Sequence, residues 1–135
     1  MGTHFGEHIT IDGYGGSPKR LDSEKTVLSA LTELCVLLRM HPLAKPMVVS
    51  APDNHIKDPG GWSGFVIIAE SHISIHTFQE KDYCFVDVFS CKDFDVELAA
   101  NYMIKAFESK SFDKYVVNRG KDFVRHAQPQ EAVLA

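Results

Sequence analysis

The sequence predicts an α+β domain, a two-layer sandwich in which an antiparallel sheet carries two helices on one face. Three observations carry this prediction. Several short segments alternate apolar and polar residues with the period of a half-buried strand. Two longer segments repeat apolar residues every three or four positions, as an amphipathic helix does. The strand-like segments are joined by short polar turns, which favour antiparallel neighbours. Two helices cover only one face of such a sheet, so the other face calls for a partner.

The elements follow in order. His8 to Tyr14 is a strand, with Ile9 and Ile11 alternating against Thr10 and Asp12. Gly13, Gly15, Gly16 and Pro18 then mark a turn. Asp22 or Ser23 caps a helix running to about Met40, with Val27, Leu28, Leu31, Leu34, Cys35 and Leu38 on its apolar face. His41-Pro42 ends it, because a residue before proline is driven out of helical geometry. Pro46 to Ala51 is a short strand, and Pro52 to Trp62 is a loop rich in Pro, Asp, Asn and Gly. Gly64 to Glu70 is a buried strand. His72 to Phe78 alternates again, placing Ile73 and Ile75 on one face and His72, Ser74 and His76 on the other. Gln79 to Asp82 is a turn, and Tyr83 to Cys91 is another strand. Asp93 or Asp95 caps a second helix with Val96, Ala99, Ala100, Met103 and Phe107 inward. Phe112 to Asn118 is a last strand, and the tail after Gly120 is expected to be loosely held.

The 135 residues suit a single domain, 1–135, with enough chain for a core. The formal net charge is −4 and the cations are scattered, so no basic stripe for nucleic acid is present. The apolar runs, such as Phe65 to Ala69, are too short for a bilayer. Met1 to Gly6 lacks a basic region followed by an apolar stretch, so no signal peptide is expected and a cytoplasmic location is. Three cysteines, Cys35, Cys84 and Cys91, match neither a disulfide framework nor a zinc spacing. His72 and His76 could share a metal on a helix, but on a strand they stand about 13 Å apart. No metal is expected.

The chemistry-bearing residues concentrate between Gly61 and Cys91. The stretch reads Gly61-Trp62-Ser63-Gly64, then Ala69-Glu70-Ser71-His72-Ile73-Ser74-Ile75-His76-Thr77, then Asp87-Val88-Phe89-Ser90-Cys91. Taken alone, Ser63 reads as a turn residue, His76 as a histidine on a sheet face, and Cys91 as packing at a strand end. There is no Gly-x-Ser-x-Gly elbow for a hydrolase. As a set, however, the Glu-Ser-His-Ile-Ser-Ile-His-Thr run resembles the S-adenosylmethionine decarboxylases of the bacterial and archaeal type. A Ser-Gly pair eight residues before its central serine and a Cys twenty after it belong to the same pattern, and Gly6-Glu7-His8-Ile9 is similar to the family's opening strand.

The resemblance implies a proenzyme that cuts its own Glu70-Ser71 bond, giving 1–70 and 71–135, and converts Ser71 into a pyruvoyl group. Such a group is an electron sink for decarboxylation and needs no metal. His76 would be the base for the elimination, since imidazole titrates near working pH. Ser63 would hydrogen-bond the reacting region, and Cys91 would return a proton to the substrate carbon. Glu80 falls where the family places a carboxylate on the substrate ribose, although by itself it reads as a solvated turn; Asp12 falls near an N-terminal acidic position. The expected substrate is S-adenosylmethionine, in polyamine (spermidine) biosynthesis, and the expected assembly is a homodimer that completes the active site.

Two positions depart from the family pattern, and at one of them Gln79 stands where many members have proline. Lys57 stands where an aromatic residue stacks on the adenine, and a cation is a poor substitute for a ring. Trp62 or Phe78 would have to supply that surface. Related enzymes decarboxylate ornithine or arginine, for which Asp12, Asp53, Asp58 and Glu80 are available; an uncut, non-catalytic relative is the remaining reading.

Overall fold

A computed structural model describes residues 4–123. Residues 1–3 of the opening stretch and residues 124–135 of the tail lie outside the described residues. The elements are β1 (Gly6–Tyr14), α1 (Pro18–Leu21), α2 (Glu24–Leu37), β2 (Met47–Ala51), β3 (Gly61–Ile68), β4 (Ser71–Phe78), β5 (Tyr83–Ser90), α3 (Val96–Phe107) and β6 (Ser111–Arg119). All six strands form one antiparallel sheet in the order β2-β3-β4-β5-β1-β6. The two-layer α+β architecture is the one the periodicities predict. Among the described residues, no helix is long and apolar enough to cross a membrane.

The core lies between one sheet face and the helices. Ile9, Ile11, Val66, Ile68, Ile73, Ile75, Val86 and Val88 meet Val27, Leu31, Leu34, Ala100, Met103 and Phe107, all buried. Leu28 departs from its expected place on the helix's buried face and is exposed. At Gly64 the helix rides close to the sheet: a Cβ there would stand 2.7 Å from Val27 Cγ1.

The ends of the elements follow local chemistry. Ser23 caps α2 by accepting from the Thr26 N–H, and Asp95 caps α3 by accepting from the Leu98 N–H. Proline does not end α2. The helix stops three residues before the expected Met40, where Arg39 turns left-handed (φ 57°) and the Met40 N–H reaches back to the Cys35 carbonyl at 2.8 Å. The turn after β1 also contains a short helix, α1, with Pro18 in its first turn and the Ser17 hydroxyl as cap.

Among the described residues, no helix packs on the opposite sheet face. Met47, Val49, Phe65, Ile67, Phe85, Tyr115 and Val117 are exposed at positions that alternate with the core residues. This is the face for which a partner is expected.

Candidate active site

The chemistry-bearing residues fall at the two ends of β4. At its start lies the Glu70-Ser71 bond. The Ser71 backbone has φ 151°, a region that residues with a Cβ rarely adopt, so strain is stored at this bond. The Cys91 backbone N–H donates to the Glu70 carbonyl oxygen at 2.9 Å. A donor there polarises the carbonyl toward attack by a nucleophile and steadies negative charge on its oxygen. The antiparallel register explains the contact: Ser71 pairs with Ser90, so the next residue, Cys91, falls against Glu70. The Cys91 side chain is exposed, whereas Cys35 and Cys84 are buried. Burial pushes the Cys84 thiol up to about 11.

The Glu70 side chain is only 10 % exposed. Burial alone would raise its pKa. Two hydrogen bonds from His41 outweigh that and hold the carboxyl below its usual range. The His41 N–H donates to Oε1 at 3.0 Å and the ring Nδ1 donates to Oε2 at 2.6 Å.

Toward the other end of β4 stand Ser63 and His76. They pair directly across β3 and β4, and Ser63 Oγ shares a 3.0 Å hydrogen bond with His76 Nδ1. Register extends this row over the whole open face as Val49, Ser63, His76, Phe85, Asp12 and Asp113. Asp12 is therefore brought into line with the pair. Burial and the facing Asp113 carboxylate push its pKa up. Five residue steps along the strand lead from Ser71 to His76, which is about 16 Å. Within one chain, then, Ser63 and His76 are together, Glu70, Ser71 and Cys91 are together, and the two groups do not touch.

A cavity of about 500 Å³ opens beside the Ser63–His76 end, lined by Phe78, Tyr83, Phe85, Lys57, Asp58 and Lys81 among others. Asn54 shapes the loop above it, its Oδ1 accepting from the N–H groups of Ile56, Lys57 and Asp58. Phe78 and Phe85 stand with ring centroids 5.1 Å apart. Trp62, expected as a possible stacking surface, is placed otherwise. It alternates with Ser63, packs against the core, and its indole N–H donates to Asp22 at 3.1 Å. It therefore lies on the helix face, and Phe78 is the candidate ring. Glu80 is exposed in the β4–β5 turn.

Between the two ends lies a polar network absent from the sequence reading. Asp87 Oδ2 accepts from His8 Nε2 at 2.6 Å and from His72 Nε2 at 3.0 Å, and the Ser74 hydroxyl donates to Oδ1. The three ligand-type atoms lie within 4.8 Å of one another. Arg119 donates to His8 Nδ1 at 3.3 Å, which leaves the His8 proton on Nε2, toward Asp87. A metal on that nitrogen would drive the proton to Nδ1, against the guanidinium, so the cluster is wired as a hydrogen-bond network. His8 and Asp87 are 79 residues apart, and only the β1–β5 register, which sets Asp87 opposite Thr10 and diagonal to His8, reveals the pairing. His41 likewise carries no motif and emerges only through its contact with Glu70.

Comparison with known proteins places the chain among relatives of one family. Residues 7–120 match the family described as S-adenosylmethionine decarboxylase. The S-adenosylmethionine decarboxylase proenzyme of Archaeoglobus fulgidus is 34% identical over 116 residues, covering 85% of this chain and 97% of that one. That of Bacillus velezensis is 41% identical over 76 residues, covering 56% of this chain and 60% of the relative, so this match spans less than two thirds of its length. The crystal structure of the adenosylmethionine decarboxylase from Aquifex aeolicus superposes with a TM-score of 0.73 at 29% identity, covering 87% of this chain and 92% of that one. Fold and matches together define a protein of the carboxy-lyase class. The chain belongs to the S-adenosylmethionine decarboxylase family.

Proposed function

We propose that this chain is a proenzyme that cuts itself between Glu70 and Ser71 and then decarboxylates S-adenosylmethionine, working as a homodimer. The observation that carries the reading is the Glu70-Ser71 bond itself, with a strained Ser71 and a carbonyl already hydrogen-bonded to the Cys91 N–H.

Ser71 Oγ attacks the Glu70 carbonyl carbon, its proton passing to a base. The carbon–nitrogen bond breaks, and the amide becomes an ester with a free amine on Ser71. A base then removes the Ser71 α-proton, and Glu70 leaves as a carboxylate. Water hydrolyses the resulting enamine through its imine, releasing ammonia and leaving a pyruvoyl group at position 71. When formed, that group supplies an electron sink for the substrate's α-carbon. The Ser63–His76 pair fits the role of the base, because the hydroxyl orients the imidazole. The exposed Cys91 thiol, next to the Glu70-Ser71 bond, fits proton return to the substrate.

The separation of about 16 Å along β4 means that His76 reaches a Ser71 only in another copy of the chain. The apolar open face, which carries Ser63 and His76 and no helix among the described residues, is the surface a second copy would cover. Phe78 and Phe85 offer aromatic surface for an adenine at the cavity. Lys57 and Lys81 line the same cavity and oppose a cationic side chain, which disfavours ornithine and arginine.

Intact-mass measurement tests the reading. Residues 1–70 and a blocked fragment 71–135 are expected from the native chain, and one uncut chain from Ser71→Ala. Carbon dioxide release should occur with S-adenosylmethionine and not with ornithine or arginine. A native chain that stays whole would overturn the proposal.

A further inference from the structure

Glu70 poses a physical question. It is a carboxylate withdrawn from water at a tight turn between two strands, where an exposed side chain would be the cheaper arrangement. Its partner lies 29 residues earlier, on the connection that follows α2. His41 grips the carboxylate with both its backbone N–H and its ring, and its carbonyl accepts from the Ala69 N–H at 2.8 Å. The residue whose carbonyl would be attacked is thus held from the side chain, from the preceding peptide, and at its own oxygen by Cys91.

The connection that carries His41 is itself anchored on both sides of the turn. The Leu43 N–H donates to the Ile67 carbonyl at 2.9 Å, and Pro42 bridges to Ile68. On the far side, Lys92 Nζ donates to the Arg39 carbonyl at 2.6 Å, and the Ser90 hydroxyl contacts Met40 Sδ. The segment from Arg39 to Leu43 therefore brackets the ends of β3 and β5, between which the Glu70-Ser71 bond lies. The His41 side chain is itself 73% exposed, so core packing does not account for its orientation; the hydrogen bond to Glu70 does.

We infer that His41 is a positioning residue for self-cleavage: by clamping the Glu70 carboxylate it fixes the Glu70-Ser71 peptide in the strained geometry from which Ser71 reacts. The inference rests on the self-cleavage reading above. Its chemistry is conformational. The clamp forms no covalent bond and transfers no proton to the reacting atoms; it narrows the range of orientations open to the Glu70 carbonyl, and orientation of this kind governs the rate of an intramolecular attack.

The test follows the cutting rate of freshly synthesised full-length chain by intact mass, with the urea midpoint of each variant measured in parallel on a Ser71→Ala background. His41→Ala should slow cutting by about tenfold or more, because loss of orientation acts directly on rate. His41→Gln keeps a side-chain donor and should recover most of the native rate. Glu70→Ala should slow cutting as well, and adding His41→Ala to it should cost little more, since the two changes break one interaction. A purely structural histidine would move the urea midpoint without this pattern of rescue and coupling. A native chain that cuts alongside His41→Ala at an equal rate, or fully additive losses in the double variant, would overturn the role of His41 alone. A native chain that never cuts would overturn the self-cleavage reading and this inference together.

Discussion

If His76 acts across the dimer, cutting can be restored by mixing two variants that are each inert alone. Consider Ser71→Ala, which cannot be cut but keeps Ser63 and His76, and His76→Ala, which keeps Ser71 but lacks the base. Proton transfer needs heavy atoms within about 3 Å, directly or through one water. The five residue steps from Ser71 to His76 along β4 place them about 16 Å apart, so no side-chain rotation closes the gap within one chain. In a mixed dimer, one site combines the intact Ser71 of the His76→Ala chain with the intact His76 of the Ser71→Ala chain; the other site lacks both. Equal amounts of the two variants, exchanging freely, put about half of the His76→Ala chains into mixed two-fold dimers. About half of those chains should then be cut, and none of the Ser71→Ala chains. Co-expression with different affinity tags, capture of the mixed species and intact-mass measurement read this out directly. Failure of His76→Ala to be cut inside captured mixed dimers would refute the reasoning, as would native-rate cutting of His76→Ala alone.

Four further outcomes are expected. Phe65→Asp, on the open sheet face, should abolish dimerisation and with it cutting, seen by sedimentation and by mass; a dimeric, fully cut variant would show that this face is not the interface. Brief alkylation of the native chain near pH 8 should modify Cys91 alone, since Cys84 is buried with its thiol pushed up to about 11, leaving about one part in a thousand as thiolate, and Cys35 is buried and raised as well; peptide mapping checks this. Glu70 is held below its usual value of 4.5, so the unfolded chain takes up its proton first as pH falls. The stability it contributes is fully present above that value and is lost as pH drops through the lower folded-state value; urea midpoints on a Ser71→Ala background should fall more steeply in that window than those of the same chain carrying Glu70→Gln. Phe107→Ala should cost about 3–5 kcal/mol in urea unfolding, because the ring, at the end of α3, is fully buried in the core.

Much of the fold was legible because its signals are local. The alternation of Ile73 and Ile75 against His72 and His76 reports a strand, and the spacing of Val27, Leu31 and Leu34 reports a helix, from a few neighbouring residues. Where a local rule had a competitor, the reading slipped: Arg39 in a left-handed turn ended α2 before His41-Pro42 could, and Leu28 proved exposed beside the true inward stripe. The candidate site divides the same way. Ser63, Glu70, Ser71, His76 and Cys91 read as ordinary residues one by one, and only the resemblance of their run to a family pattern singled them out. It could not tell which of them meet, because that depends on strand register.

Register put His76 beside Ser63 rather than beside Ser71, and put the Cys91 backbone against the Glu70 carbonyl. It turned Trp62 to the helix face and left Phe78 at the cavity. It also joined His41 to Glu70 and His8 to Asp87 across 29 and 79 residues, pairs that no local pattern encodes. The residue types and their periodicity were determined by the sequence alone, since backbone sterics and burial act over a few positions. The contacts that would make the chemistry were decided only by tertiary structure, because hydrogen bonds form between atoms a few ångströms apart whatever their distance along the chain.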